Sequence, residues 1–295
     1  MRRQRPQRPR ANRDIPQSTS QLRSAKIFVP YGLDINTNLG EGFGHYRIEG
    51  ESDLLPYVTS ANIACGAHAG DPALMESALE EARYHGLAIG AHIGLPDIAG
   101  FGRRELHLSA NELRASILFQ LGALAGITKT FGIEITQVRP HGFLYRQMSH
   151  DVRIATTVAR AIAEFDRWLV LIGPAGNNLL TAGDKAGIRV AGEVFVDRAY
   201  DSNGNLVPHT HSRALLKNTR DIINQAAQLV RHRSVTSVDG ITVKIDFQTI
   251  HLHAQVANAT HIAEEVRLMI PDARPLTSEP YSVDEYEHPH LAYGE

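Results

Sequence analysis

The stretch ANIACGAHAGDPALMESALEEARYHG (Ala61–Gly86) holds a complete strand-to-helix passage, and the architecture follows from it. It opens on a short apolar run that ends in Cys-Gly-Ala-His. Asp71-Pro72 then supplies a helix N-cap followed by a proline at the first helical position, and Gly86 closes the helix. Cys65 reads as a small buried filler beside a glycine. Asp71 reads first as a helix cap, because its side chain can satisfy amide groups that the first turn leaves unpaired. His68 is different, since it sits where a buried parallel strand stops being apolar.

On both sides of that stretch the same passage recurs along the chain. Apolar runs KIFVPYGLDIN, TSANIAC, LAIGAHI, TQVRPHG, WLVLIG, IRVAGEVFV and TIHLHA alternate with helical patterns. Such near-continuous apolar strands are expected when helices cover the outer face of a parallel sheet. Ser109 and Glu112 form a capping box before LRASILFQLGALAGI. TRDIINQAAQLVRH and NATHIAEEVRLMI carry apolar stripes at helical spacing. Strand-helix alternation of this kind predicts a closed or nearly closed (β/α) barrel, with a doubly wound open sheet as the alternative.

In either architecture chemistry gathers at the C-terminal ends of the strands. Those ends read DINTN, ACGAH, GAHIG, RPHG, EVFVDRAY and HLHAQ, which assigns Asp34, His68, His92, His141, Asp197 and His253 to one rim. Convergent histidines with a carboxylate suit a divalent metal with an open position for water. The same groups can act as general acid and base without metal. Asp34, His68 and His141 are the proposed centre and the candidate metal ligands, with His92 and Asp197 as further catalytic candidates. Gly40–His45 (GEGFGH) lacks dinucleotide-fingerprint spacing and reads as a flexible substrate loop.

The ends differ from this body. Residues 1–25 are rich in Arg, Pro, Gln and Ser and read as a disordered basic arm. Residues 274–295 read as a Pro-rich acidic tail, which leaves 26–273 as the barrel domain. Among 295 residues there is one cysteine and a formal net charge of -2. That balance gives no reason to expect nucleic acid or an anionic membrane as partner. No apolar run reaches the roughly 20 residues of a membrane span. A lone cysteine fits a reducing compartment, so a cytoplasmic location is expected.

The motifs DINTNLGEGFG, TSANIACGAHAGDP, GAHIGLPDIAGFGRR, RPHGFLY, EVFVDRAY and IHLHA occur in an order that resembles the LamB/YcsF family, across Leu33 to Ile270. The resemblance implies a (β/α)7 TIM-like barrel of the glycoside hydrolase/deacetylase type. It further implies the A-subunit role of a prokaryotic ATP-dependent 5-oxoprolinase. That enzyme opens the cyclic amide 5-oxo-L-proline to glutamate, with ATP handled through separate B- and C-type subunits. Within this rim Asn36, Glu41, Asn62, Asp71, Arg103, Tyr145, Arg198 and His253 are the substrate-binding candidates. An arginine fork from Arg103, Arg104 or Arg198 would suit a substrate carboxylate. The chain departs from the family pattern at two places: Asn38 stands where the family's Asp-Leu-Asn-Cys-Asp has its last acid, and Ala254-Gln255 replaces the end of His-Gly-Asp. Those changes leave a stand-alone metal-dependent deacetylase-like amide hydrolase, or a non-catalytic metabolite- or partner-binding homologue, as alternatives.

Overall fold

The computed structural model describes residues 33–276, so the basic arm and the last nineteen residues of the acidic tail lie outside the described residues. In chain order the strands are β1 (Asp34–Leu39), β2 (Ser60–Ala64), β3 (Ala88–Ile93), β4 (Ile135–Pro140), β5 (Val170–Pro174), β6 (Arg189–Phe195), β7 (Ser234–Thr236), β8 (Thr242–Lys244) and β9 (Thr249–Leu252). Seven of them close a parallel barrel in the order β1-β2-β3-β4-β5-β6-β9, while β7 and β8 form a separate antiparallel hairpin. Closure is made by β9, which pairs with β6 on one side and with β1 on the other, Asn36 opposite His251. This removes the open-sheet alternative.

The helices are α1 (Pro72–Tyr84), α2 (Ala110–Thr130), α3 (Gly142–His150), α4 (Val152–Phe165), α5 (Asn177–Ala186), α6 (Thr219–His232) and α7 (Ala259–Met269). Their starts follow the chemistry of the caps. Asp71 accepts from the amides of Ala73 and Leu74, with Pro72 at the first position, and Ser109 and Glu112 complete a reciprocal box. The inner faces of the helices then bury Leu74, Leu79, Ile117, Leu121, Leu124, Val158 and Ile162, and the outward residues of the strands, such as Ile35, Ile63 and Val138, are buried with them. No helix among the described residues is long and apolar enough to cross a membrane.

The inside of the barrel is unusual in being half polar. Alternation along β1 turns Asp34, Asn36 and Asn38 inward, and the inward neighbours include Ser60, Asn62, Gln137, Arg139, Glu193, Thr249 and His251. Asn62 donates to Asn36 (2.9 Å) and Gln137 donates to Asn62 (3.0 Å), so the amides satisfy one another across the strands. A separate apolar cluster is formed by Val170, Ile172 and Ala191 with Leu276 packed on them. Leu276 is fully buried and the amide of Arg274 donates to the carbonyl of Leu33. Residues 274–276 therefore continue the packed body past the expected boundary at residue 273.

Candidate active site

Four side chains converge at the C-terminal rim of β1–β4. His92 lies near the end of β3, His68 in the turn after β2, His141 immediately after β4 as the residue before α3, and Glu41 in the turn after β1. The start of Gly40–His45 is a turn that delivers Glu41. Gly40 takes a φ of +72°, and the Glu51 carboxylate accepts from the amides of Gly40 (3.0 Å) and Glu41 (3.2 Å). Two further glycines make room for the rings. A Cβ at Gly94 would lie 2.4 Å from His68 Nδ1, and one at Gly102 would lie 2.9 Å from His141 Cδ2.

The tautomers can be read from the backbone. His92 Nδ1 lies 2.9 Å from the Arg139 carbonyl and His141 Nε2 lies 2.8 Å from the Phe101 carbonyl. A carbonyl only accepts, so both nitrogens carry hydrogen. The nitrogens left over, His92 Nε2 and His141 Nδ1, face each other at 3.0 Å, and Glu41 Oε1 lies 3.1 and 3.5 Å from them. His68 Nε2 approaches the same oxygen at 3.8 Å, and neither His68 nitrogen has a hydrogen-bond partner. Burial drives the His92 imidazole down to about 4 and His141 well below the ordinary histidine range, with neighbouring histidines adding to the shift at His141. Burial would raise the Glu41 carboxyl, but the close approach of the His68, His92 and His141 rings holds it well below its usual range. Neutral imidazoles and an ionised carboxylate thus direct lone pairs at one point.

Lone pairs aimed at one another require a cation between them. A proton can serve one pair; it cannot serve four atoms that all lie within 4.8 Å of one another. Ligands about 2.0–2.1 Å from a tetrahedral ion stand about 3.3 Å apart, which matches the contacts from His92 and His141 to Glu41. Carbonyls holding the outer nitrogens of His92 and His141 are the usual outer support of metal-ligating histidines. Glu41, His68, His92 and His141 therefore fit a divalent metal ion.

Beside the cluster, Asn38 donates to Glu41 (3.1 Å) and accepts from Arg139 (3.2 Å). Arg139 is buried and grips Glu193 with two bonds of 2.7 and 2.8 Å. Its guanidinium lies over the rings of Tyr145 and Phe195. The Tyr145 hydroxyl and His251 Nε2 are buried and unpartnered, while His251 Nδ1 donates to Asn36 (2.7 Å). Across the rim Asp197 is buried, and both its oxygens lie within 3.0 Å of His253 Nδ1. His253 stacks on Phe195, meets His251 edge-on, and keeps 27 % of its side chain exposed.

This arrangement revises several expectations. Asp34 is the first residue of β1 rather than the last, so it lies at the far end of the barrel from His68, His92 and His141. There it accepts from Thr59 (2.7 Å) and Ser60 (2.9 Å), and it belongs neither to a metal set nor to a catalytic centre at the rim. Glu41 holds the place expected for its carboxylate. Asn36 and Asn62 are spent on the interior amide network, and Asp71 on its cap and on the Gly44 amide (2.9 Å). Arg198 is turned into the carbonyls of Val207 and Ala214, and Arg104 into Asp97. Arg103 stands exposed at the rim above Phe101. His68, His92, His141, Asp197, His253 and Tyr145 all lie at or just below that rim. Arg139 and Glu193 escaped the sequence reading, although a charged residue two positions before His141 on an apolar strand shares its inward face.

Known proteins resemble this chain over most of its length. The family model described as "LamB/YcsF family" matches residues 33–281. The A subunit of 5-oxoprolinase from Tolumonas auensis is 43 % identical over 235 residues, covering 80 % of this chain and 94 % of that protein. The corresponding A subunit from Bacillus subtilis is 39 % identical over 237 residues, covering 80 % and 92 %. A crystal structure of a lactam utilization protein from Thermus thermophilus superposes with a TM-score of 0.77 at 35 % identity, covering 82 % of this chain and 99 % of that one.

Proposed function

The chain belongs to the LamB/YcsF family, and we propose that it is a hydrolase subunit of the 5-oxoprolinase A type, acting on the C–N bond of a cyclic amide. The observation that carries this reading is the inward-facing set Glu41, His68, His92 and His141 on the rim of a complete barrel. A divalent ion held there would polarise an amide carbonyl and make water a better nucleophile near neutral pH.

The chain's own residues supply the remaining chemistry. Resonance makes an amide a poor electrophile and its nitrogen a poor leaving group, so ring opening needs a base for the attacking water and an acid for the nitrogen. The Asp197–His253 pair suits both tasks. With Nδ1–H held by Asp197, His253 presents Nε2 to the partly open mouth. That nitrogen takes a proton from the water as the C–O bond forms, then returns it to the ring nitrogen as the C–N bond breaks. Arg139, locked to Glu193, keeps Asn38 and through it Glu41 in place. The relatives' names as A subunits imply further subunits, and we place ATP consumption in such a complex with B- and C-type partners. A reading as a stand-alone amide hydrolase is favoured by one observation, that the metal-fitting set comes entirely from this chain.

The deciding experiment measures glutamate formation from 5-oxoproline by the full chain, with and without ATP and B- and C-type subunits, alongside metal analysis. Turnover only with ATP and partners supports the role within a multi-subunit enzyme. Turnover by the isolated metal-loaded chain supports the stand-alone enzyme. No turnover in any combination overturns the assignment to 5-oxoproline.

A further inference from the structure

Beside the cluster the rim carries cations that the chemistry above leaves unused. Arg103 is exposed, with its guanidinium carbon 5.1 Å from the centre of the Phe101 ring. That ring lies edge-on to His141 at 5.0 Å and to His68 at 5.9 Å. Arg103 is thus separated from the metal-fitting residues by one aromatic side chain. Arg146, on α3, lies over Phe143 at 5.2 Å and donates to the carbonyl of Arg103 at 3.4 Å. Neither guanidinium has a carboxylate partner among the described residues; the adjacent Arg104 shows the opposite behaviour, turned away to Asp97.

From the other side of the mouth Arg198 donates through Nη1 to His209 Nε2 at 2.8 Å. Partial burial first, and then the charges of Arg198, Arg103, His253 and Arg146, push the His209 imidazole down to about 4. Arg103 in the turn after β3 and Arg146 on α3 are joined by their hydrogen bond, Arg198 in the segment after β6 is joined to His209, and all three arginines lie close enough to His209 to act on it. The nearby acid, Asp197, is committed to His253. Like charges gathered this way repel one another, and an anion between them relieves the repulsion. Planar guanidinium forks match the two oxygens of a carboxylate or a phosphate.

We propose that Arg103 and Arg146, backed by Arg198 and His209, form an anion-binding subsite at the barrel mouth, which selects a negatively charged lactam over a neutral one. The selectivity rests on the reading of this rim as a lactam site, whereas the binding of an anion does not. The group bound is an oxyanion: either the carboxylate of the lactam or a phosphoryl group.

The test is calorimetric or NMR-detected binding to the full metal-loaded chain, using 5-oxoproline, 2-pyrrolidinone (the same ring without a carboxylate) and inorganic phosphate. The variants are Arg103→Gln and the double variant Arg103→Gln with Arg146→Gln; an unchanged melting curve verifies the fold. The expected result is 5-oxoproline binding about tenfold or more tighter than 2-pyrrolidinone. The double variant should lose about that factor for 5-oxoproline alone, leaving 2-pyrrolidinone unchanged. If phosphate competes with 5-oxoproline and weakens in parallel, the subsite accepts both oxyanions; if it does not compete, the subsite is for carboxylate. Binding of phosphate but of neither lactam, sensitive to the double variant, would support an anion site for a phosphoryl group while removing the lactam reading. Equal affinity for the two lactams, 5-oxoproline affinity unaffected by the double variant, or no binding of any probe overturns the proposal.

Discussion

At the scale of single residues, hydrogen-bond direction decides more than residue type. Two carbonyls, of Arg139 and Phe101, dictate which nitrogens of His92 and His141 are bare, and the bare ones face Glu41. Purified protein should accordingly carry about one divalent ion per chain by elemental analysis. Glu41→Gln should lower its affinity by more than the roughly 10–100-fold typical of an outer partner. Asp34→Asn should leave metal content unchanged, because Asp34 sits at the other end of β1. Its effect should appear in stability against pH. Burial raises the Asp34 carboxyl to about 6, so the folded state holds a proton that the unfolded chain releases near 3.8. Stability should fall as pH rises from about 4 to about 6, and Asp34→Asn should flatten that decline in urea titrations. Asn38 and Gln255, the two departures from the family pattern, are not equivalent. Asn38→Asp puts a second carboxylate beside Glu41 and removes its donor, and should cost roughly 1–3 kcal/mol in chelator-treated protein, less once metal is bound. Gln255 is exposed, and Gln255→Asp should stay within about 0.5 kcal/mol.

At the scale of elements, the strand ends and helix caps carry separable tasks. Asp71 starts α1, so Asp71→Ala should cost about 1 kcal/mol of stability and leave KM for any lactam unchanged. A raised KM with normal stability would return Asp71 to the substrate. The Arg139–Glu193 pair joins β4 to β6 inside the barrel. Truncating either partner should cost about 3–5 kcal/mol by denaturant unfolding, since the other charge is left buried. Replacing both together, Arg139→Met with Glu193→Leu, should recover much of that loss, while metal binding weakens as Asn38 loses its support. The caps of α1 and α2 were legible beforehand because capping is local chemistry within three residues. The buried pair was not, because its partners are 54 residues apart in sequence.

At the scale of the molecule, the closed barrel turns seven strand ends into one rim with two kinds of chemistry. A metal-fitting set comes from β1–β4, and the hydrogen-bonded Asp197–His253 pair, the proposed acid–base pair, from the ends of β6 and β9. Local order in the chain was enough to establish the alternation of strands and helices, the caps, and the positions of His68, His92, His141 and His253 at strand ends. Each of these depends on periodicity and on residues close in the chain. Closure was settled only in three dimensions, and with it which face and which end each polar residue occupies. Asp34 shows the reason: the run before it is apolar and β1 itself is polar, so periodicity placed the strand too early and set Asp34 at the wrong end. Glu41 gained its role the same way, because a turn of glycines brings it to three histidines 27, 51 and 100 residues downstream. Spacing along a chain carries no record of such meetings; they exist once burial and pairing across the barrel have fixed the register.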